Sequence, residues 1–339
     1  MVTLKDVAQK CGVSVASASK ALNNMSDISP ATAMRIRDAA KELGYYPNIA
    51  ARTLKTSHSK TIGILVFLRG GIVWTHEYFS KIIGNIQVQA EKSGYDITII
   101  NCEGVHIMGS YLAYCKYRNY DGVIIVSAHF SEPTLIELVD SDLPLATVDY
   151  VFNHRGAVIS DNEQGMRDLV RYVCEKGHRR IAYIHGEDTL VTRNRLASFY
   201  RTCEEFGAQV PEEYVRAAQY HDPQSSAEAT RELLQLRKRP TCILYPDDFS
   251  CIGGMNELER EGLSVPEDMS VAGYDGIYLA DVLHPKLTTL EQDTEGIGTQ
   301  VVRMLIKAIE KPKNFIPRHV VLPGIVRQGE SVKSIIPQM

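Results

Sequence analysis

Several charged and aromatic side chains stand at or shortly after apolar stretches of strand length, where a core needs no polar group. A carboxylate and an arginine that face each other suit a polyhydroxylated ligand, and an aromatic ring can stack on its apolar face. Helix capping by the aspartates and simple packing of the rings also fit these positions. The candidates for small-molecule binding are Trp74, His76, Phe79, Asp149, Arg195, Asp248 and Asp275.

Catalytic and metal-binding patterns are incomplete in this sequence. HEYFS at 76–80 lacks the second histidine of a zinc protease, and GIGTQV at 296–301 lacks the third glycine of a dinucleotide site. GVSVA at 12–16 begins like a nucleophile elbow but lies near the N-terminus, and no GxxxxGK[ST] occurs. The seven cysteines form no CxxC pair, which favours reduced thiols over disulfides or zinc. We expect no catalytic residues, no metal and no cofactor.

The elements that position the candidate residues alternate between strand and helix from Thr61 onward. Apolar runs separated by amphipathic segments predict βαβ units and parallel sheets. There are too many units for one sheet, so we expect two doubly wound sheets, with ligands beyond the carboxyl ends of the strands. The predicted strands are TIGILVFL, YDITIIN, DGVIIVS, LPLATVD, RIAYIH, TCILYP and MSVAGYD.

The first 44 residues have a different pattern, typical of three short helices. Apolar residues recur on one helical face before Gly12, which permits a sharp turn. A second helix follows Ser14, and a third follows Ser29 with Met34 and Ile36 facing mostly inward. This spacing predicts a helix-turn-helix whose second helix lies in the DNA major groove.

The charge is divided unevenly along the chain. Residues 1–60 hold nine Lys/Arg and four Asp/Glu, a net +5, and the remainder holds 28 and 37, a net −9, which together give the overall −4. A basic head on an acidic body predicts a polyanionic partner for the head alone. No apolar run approaches the ~20 residues of a membrane span, and no apolar signal segment begins the sequence, so we expect a cytoplasmic protein without membrane contact.

The stretch VTLKDVAQKCGVSVASASKALNN, continued by ISPATAMRIRDAAKELGYYPNIAARTLK, resembles the LacI/GalR family of transcriptional regulators. The resemblance continues through the whole chain. It implies an α-helical helix-turn-helix head, a hinge helix and an α/β two-lobed type I periplasmic-binding-protein-like body with doubly wound parallel sheets. The implied ranges are 1–45 for the head, 46–60 for the hinge and linker, and 61–339 for the body, with an N-lobe of about 61–160 and 293–322 and a C-lobe of about 161–291 and 324–339.

The resemblance also assigns DNA-binding roles in the head. Val15 and Ala16, at base-reading positions, can only contact thymine methyls, whereas Lys20 can donate to guanine; Ser17 is exposed on the same helix. In the hinge helix, which orders only on DNA, the family's leucine wedges into the minor groove. The matching phosphate-facing residues are Thr3, Ser14, Ser19, Asn23, Ser29, Thr32, Tyr45 and Asn48, and the hinge residues are Ala51, Leu54 and Lys55.

In the body, Arg195 matches the family's ligand-clasping arginine, and Asp248 and Asp275 match hydroxyl acceptors. The resemblance implies a homodimer, joined through roughly 74–92 and 106–117, that represses genes from a pseudo-palindromic DNA operator under control of a small effector, with a sugar favoured. Three alternatives stay open at this point: a corepressor-dependent regulator that binds a nucleobase, a sugar-binding transport protein, and an enzyme such as a kinase or hydrolase.

Overall fold

The computed structural model describes residues 2–22, 27–46, 58–67, 73–100 and 102–336. The chain divides into two compact units, Met1–Lys60 and Thr61–Met339, which are called the head and the body below. Five residues predicted to bind DNA lie outside the described residues: Asn23, Asn48, Ala51, Leu54 and Lys55.

The described part of the head contains three helices, α1 (Leu4–Lys10), α2 (Val15–Leu22) and α3 (Pro30–Glu42). Short polar side chains define where each helix begins, because they bond to backbone groups that the first turn leaves unpaired. The Ser14 hydroxyl accepts from Ser17 N at 3.0 Å, and the Ser29 hydroxyl accepts from Thr32 N. Before α1, the Asp6 carboxylate accepts from the backbone N–H of Thr3 at 2.8 Å.

Small residues allow the three helices of the head to approach each other closely. Val7, Ala18 and Ile36 are fully buried, and Ala8 and Ala21 are almost so. The inward position predicted for Met34 is wrong, because this side chain is 64% exposed. Residues two apart on a helix face nearly opposite sides, so α3 cannot bury both residue 34 and residue 36.

The first sheet of the body defines the N-lobe and contains six parallel strands in the order β11-β5-β4-β3-β1-β2. Buried apolar residues of its strands and helices form the core on both faces. Its strands are β1 (Thr61–Val66), β2 (Asp96–Ile99), β3 (Gly122–Ser127), β4 (Leu145–Val148), β5 (Gly156–Ser160) and β11 (His319–Leu322). Its helices are α4 (Glu77–Lys92), α5 (Cys102–Met108), α6 (Tyr111–Tyr117), α7 (Pro133–Asp140) and α13 (Thr294–Glu310).

The second sheet defines the C-lobe and has the strand order β12-β10-β9-β8-β6-β7. Its pairings are parallel except that of β12 with β10. Its strands are β6 (Ile181–His185), β7 (Val215–Ala217), β8 (Cys242–Leu244), β9 (Ser270–Asp275), β10 (Thr288–Glu291) and β12 (Ile325–Arg327). Its helices are α8 (Asn162–Glu175), α9 (Leu190–Glu205), α10 (Pro223–Leu234), α11 (Asp248–Arg260) and α12 (Leu279–Val282).

The chain passes between the two sheets three times, after β5, after β10 and after β11. The helical head and the two largely parallel α/β lobes confirm the predicted fold class. Among the described helices, none combines the length and the apolar character that crossing a bilayer requires.

Candidate functional site

The exposed face of α2 carries the side chains predicted to read bases. Val15 is 45% exposed, Ala16 and Lys20 are exposed, and Ser17 is half-buried. Lys20 forms an ion pair with Asp27, and its hydrogen bond lowers the pKa of that carboxyl. Because both partners are about half exposed, the pair costs little to open and leaves Lys20 available to an anion.

The predicted phosphate contacts cluster where helices begin. Ser14 and Ser29 cap α2 and α3, so their hydroxyls lie beside unpaired backbone N–H groups that favour an anion. Of the other predicted contacts, Thr3 is exposed, and the structure places the following residues at half-buried positions: Ser19, Thr32 and Tyr45.

Two carboxylates of the body lie at the carboxyl ends of strands in different lobes. Asp149 follows β4 and Asp275 ends β9. Both have backbone φ angles in the left-handed region, 53° and 101°, which residues other than glycine rarely adopt. Backbone strain of this kind concentrates at binding sites, where the surrounding structure holds a side chain in one required direction.

Hydrogen bonds connect the two carboxylates across the lobes. The Tyr78 hydroxyl, from α4, donates to Asp149 Oδ2 at 2.9 Å and lies 3.4 Å from Gln292 Oε1. Gln292 Nε2 donates to Asp275 Oδ1 at 2.6 Å. A group bound at either carboxylate therefore acts on a network that spans the crossover between the lobes.

Arg195 is held rigidly beside this network. Its Nε donates to Asn162 Oδ1 at 2.8 Å and its Nη1 to Pro246 O at 3.0 Å, and its guanidinium lies 3.5 Å from the centre of the Tyr274 ring. Within the described part of the chain, Nη2 makes no hydrogen bond. This nitrogen is available to an oxygen atom of a ligand.

Aromatic rings from both lobes meet at the cleft. His76 of the N-lobe stacks on His221 of the C-lobe with centroids 4.2 Å apart, and His221 stacks on Phe249 at 4.0 Å. Phe79 lies 4.6 Å from His76. Beside these rings, Tyr278 N of the C-lobe donates to Glu77 Oε1 of the N-lobe. These rings provide flat surfaces between the lobes.

Burial shifts the pKa values of these groups toward their neutral forms. It raises the pKa of Asp275 to about 7, against the opposing effect of the Arg195 charge, and it raises the pKa of Asp149. Burial, with the nearby His221, lowers the pKa of His76 to about 3, and its buried Nδ1 has no hydrogen-bond partner among the described residues. Uncharged rings and carboxyl groups whose pKa values are raised suit a hydroxyl-bearing ligand.

Two predicted effector residues do not join this cluster. Asp248 is fully buried, and its oxygens accept from Thr289 Oγ1 at 2.5 Å and from Ile277 N at 2.9 Å, so it stabilises the loop after β9 instead of facing the cleft. Trp74 is 66% exposed and makes no ring contact with the cluster within the described part of the chain. The other five predicted effector residues lie around the cleft described above.

Sequence reasoning missed several residues of the cleft. Tyr78 lies between two predicted residues, and Gln292 lies between the range predicted for the C-lobe and the second range predicted for the N-lobe, so the sequence carried a signal for both. His221 was hidden because it follows β7, a three-residue strand whose composition, VRA, gives no apolar run. The residues at a strand's end become candidates only when the strand itself is recognised.

Comparisons with known proteins find matches for both the head and the body. Residues 3–48 match the model described as bacterial regulatory proteins, lacI family, and residues 170–332 match the periplasmic binding protein-like domain. The HTH-type transcriptional repressor PurR of Escherichia coli O139:H28 is 30% identical over 325 residues, which cover 93% of this chain and 94% of that protein.

Solved structures are similar over nearly the whole chain. The lac repressor dimer bound to operator and the anti-inducer ONPF is 25% identical, with a TM-score of 0.82, and the match covers 98% of this chain and 99% of that one. The complex of the transcriptional regulator CelR with cellobiose is 26% identical, with a TM-score of 0.73 and coverage of 98% and 100%. The chain therefore belongs to the lacI family of bacterial regulatory proteins and is a DNA-binding transcription regulator.

Proposed function

We propose that this protein is a homodimeric repressor whose binding to a pseudo-palindromic operator is controlled by a small sugar-like molecule held between the lobes of the body. The effector contacts Asp149, Arg195 and Asp275, and the rings of His76 and Phe79 cover its apolar face. Binding changes how the lobes sit against each other, and a coupling free energy of about 1–3 kcal/mol then changes operator affinity several-fold or more.

The Nη2 of Arg195, beside two strained and partly buried carboxyl groups, is the observation that carries this proposal. A guanidinium donates only, whereas a carboxyl group accepts and, when protonated, also donates. A ligand with several hydroxyl groups satisfies both kinds of partner, because each hydroxyl donates and accepts. CelR, a similar protein, has been solved in complex with cellobiose.

The stacked rings favour a second candidate, a nucleobase that acts as corepressor. His76 and His221 are nearly parallel, with an interplanar angle of 18°, and a flat base that enters between the two rings would stack on both. With a corepressor, the ligand would strengthen operator binding instead of weakening it.

A thermal-shift panel of monosaccharides, disaccharides, sugar phosphates and purines separates the two candidates. A ligand at about 100 times its Kd stabilises a protein by about 2.7 kcal/mol, a rise of several degrees in melting temperature. We expect a sugar to produce this rise in the wild type and in Arg193→Lys, but not in Arg195→Lys. Both arginines lie on α9, but Arg193 is exposed and pairs with Asp188.

The panel has three informative outcomes. A purine that alone raises the melting temperature supports the nucleobase candidate. A sugar that stabilises Arg195→Lys as strongly as the wild type contradicts the assigned cleft, because lysine keeps the charge but loses the planar set of donors. If no compound stabilises the protein, the sugar proposal fails for every class in the panel.

Exposed apolar side chains support the proposed dimer. Val88 on α4, Ile107 on α5 and Tyr117 on α6 lie within the predicted dimer segments and are 49%, 74% and 69% exposed. Large apolar side chains that a monomer leaves in water are typical of surfaces that bind another protein.

Leu54→Ala tests the predicted hinge wedge. A leucine that inserts between base pairs contributes by keeping the duplex bent, so its removal is expected to weaken operator binding by about tenfold or more. The effector-induced thermal shift should be unchanged, since the body is a separate unit. Electrophoretic mobility shifts measure the operator affinity, and wild-type affinity in the variant would refute the wedge.

A further inference from the structure

A second concave site lies in the C-lobe. It lies at the amino-terminal ends of the parallel strands, opposite the effector cleft at their carboxyl ends. It is a hollow of about 690 Å³ lined by residues that directly precede β6, β8 and β9. The C-lobe residues of the cleft follow the carboxyl ends of strands, so the two sites lie at opposite ends of the strands of one sheet. Five exposed cationic side chains surround the hollow: Arg179, Arg180, Arg237, Lys238 and Arg239.

The charges around the hollow are uncompensated, unlike most others in this lobe. The C-lobe segments 161–291 and 324–336 contain 13 arginines, and eight of them form ion pairs with carboxylates. Within the described part of the chain, the arginines of this lobe without such a pair are Arg195 in the cleft and the four at the hollow. Among the described residues, one carboxylate lines the hollow, that of Asp268, and it accepts a hydrogen bond from Ser264 N.

Main-chain carbonyls hold three of these guanidinium groups in place. Arg179 Nη1 donates to Cys174 O at 2.7 Å and to His178 O at 2.8 Å, and Arg180 Nε donates to Arg239 O at 3.0 Å. Arg239 Nε donates to Leu234 O at 2.7 Å. A neutral acceptor fixes a guanidinium without cancelling its charge, so the remaining N–H groups stay available for an anion.

We propose that this hollow binds a small molecule that carries at least two phosphate groups. Planar guanidinium groups match the oxygens of phosphate in pairs, and five cations exceed the charge of a single phosphate. The volume lies within the range of small-ligand pockets. Pro240, Leu263 and Met269 also line the hollow and supply apolar contacts for an organic scaffold of nucleotide size.

Isothermal titration of the full chain at low salt with ADP, pyrophosphate and inorganic phosphate tests this proposal. The key variant is Arg237→Glu/Lys238→Glu, called the hollow variant. Neither side chain makes a hydrogen bond within the described ranges of the chain, so the change should leave the fold intact. The matched control is Arg303→Glu/Lys307→Glu, which makes the same charge change on exposed residues of α13 in the N-lobe. Circular dichroism checks that both variants fold. If the hollow variant does not fold, Arg237→Gln replaces it.

We expect ADP and pyrophosphate to bind with one molecule per chain, and phosphate to bind at least about tenfold more weakly. The hollow variant should weaken ADP binding by about tenfold or more, while the control keeps wild-type affinity. If the hollow variant binds ADP as tightly as the wild type, the proposal is overturned and the anion binds at another site, such as the basic head. No binding of any probe also overturns it and leaves the arginines with the role of bonding to helix ends. Duplex DNA is titrated in parallel. If the hollow variant weakens only the binding of duplex DNA, the hollow binds DNA and the small-molecule assignment is wrong.

Discussion

Asp275→Asn is expected to abolish the effector-induced rise in melting temperature while it stabilises the ligand-free body at pH 8. Asparagine has nearly the shape of aspartate and tolerates the left-handed φ of 101° at this position. Its amide oxygen can still accept from Gln292 Nε2, but an NH2 group that only donates replaces the second carboxylate oxygen, so the acceptor that the effector hydroxyl requires is lost. The variant therefore separates what this residue contributes to binding from what it costs in stability.

The sign of the stability change follows from the pKa of Asp275. Burial raises this pKa to about 7 from the ordinary 3.8, so the folded protein holds the proton more tightly than the unfolded chain. The resulting stabilisation is complete below pH 3.8 and disappears as the pH rises through about 7. Asparagine does not titrate, and the advantage of the variant should grow between pH 5 and pH 8.

Differential scanning calorimetry of the ligand-free protein at pH 5, 6, 7 and 8 measures this effect. Asp96→Asn is the matched control, because Asp96 is exposed at the start of β2 and should give a curve parallel to the wild type. If the difference in stability between Asp275→Asn and the wild type is the same at all four pH values, Asp275 is ionised throughout this range and burial does not raise its pKa.

Ala18→Leu is expected to weaken operator binding by about 100-fold and to leave the body unchanged. Ala18 is fully buried between α2 and the other helices of the head, and Ala8 and Ala21 are also buried. Three added carbons in a close-packed seam cost about 1–3 kcal/mol or more. A domain of this size has little stability to lose, so a large fraction of heads should unfold.

Two readouts distinguish an unfolded head from a lost contact. Affinity for an operator fragment selected from random duplex DNA should fall by about 100-fold, the effect of 2–3 kcal/mol. The melting temperature of the body and its response to effector should match the wild type, since the body is a separate unit. Gln9→Leu, which adds a leucine at an exposed position of α1, should keep the head folded. Wild-type operator affinity in Ala18→Leu would contradict the close packing of the seam.

The sequence predicted the strands that form the centre of each sheet better than those at the edges. Strands β1 and β3 are buried almost throughout, so their apolar runs are continuous and easy to recognise. Strands β7 and β11 lie at the edges of their sheets and mix exposed with partly buried residues. An edge strand is specified by pairing with a distant segment, which a local pattern does not reveal.

For the site, spacing predicted which residues lie near the cleft but not the direction of every side chain. Asp247 and Asp248 both follow β8, yet Asp247 caps α11 and accepts from His221 N, while Asp248 bonds to Thr289 and the loop after β9. Which neighbour each carboxylate meets depends on the packing of three segments far apart in the chain. Asp149, Arg195 and Asp275 were easier to predict because each also matched a position of a known family or the end of a strong strand.

The N-lobe is assembled from two parts of the chain, and this sets an order for folding during synthesis. Its core includes Ile297, Val301 and Leu305 of α13, and its sheet is completed at one edge by β11. The head, by contrast, encloses its core with residues between Leu4 and Tyr45. Because closure of the N-lobe must follow translation of the last segment, the head can fold first and the N-lobe only later. A chain that ends before residue 294 would therefore carry a complete head and an N-lobe without α13 and β11.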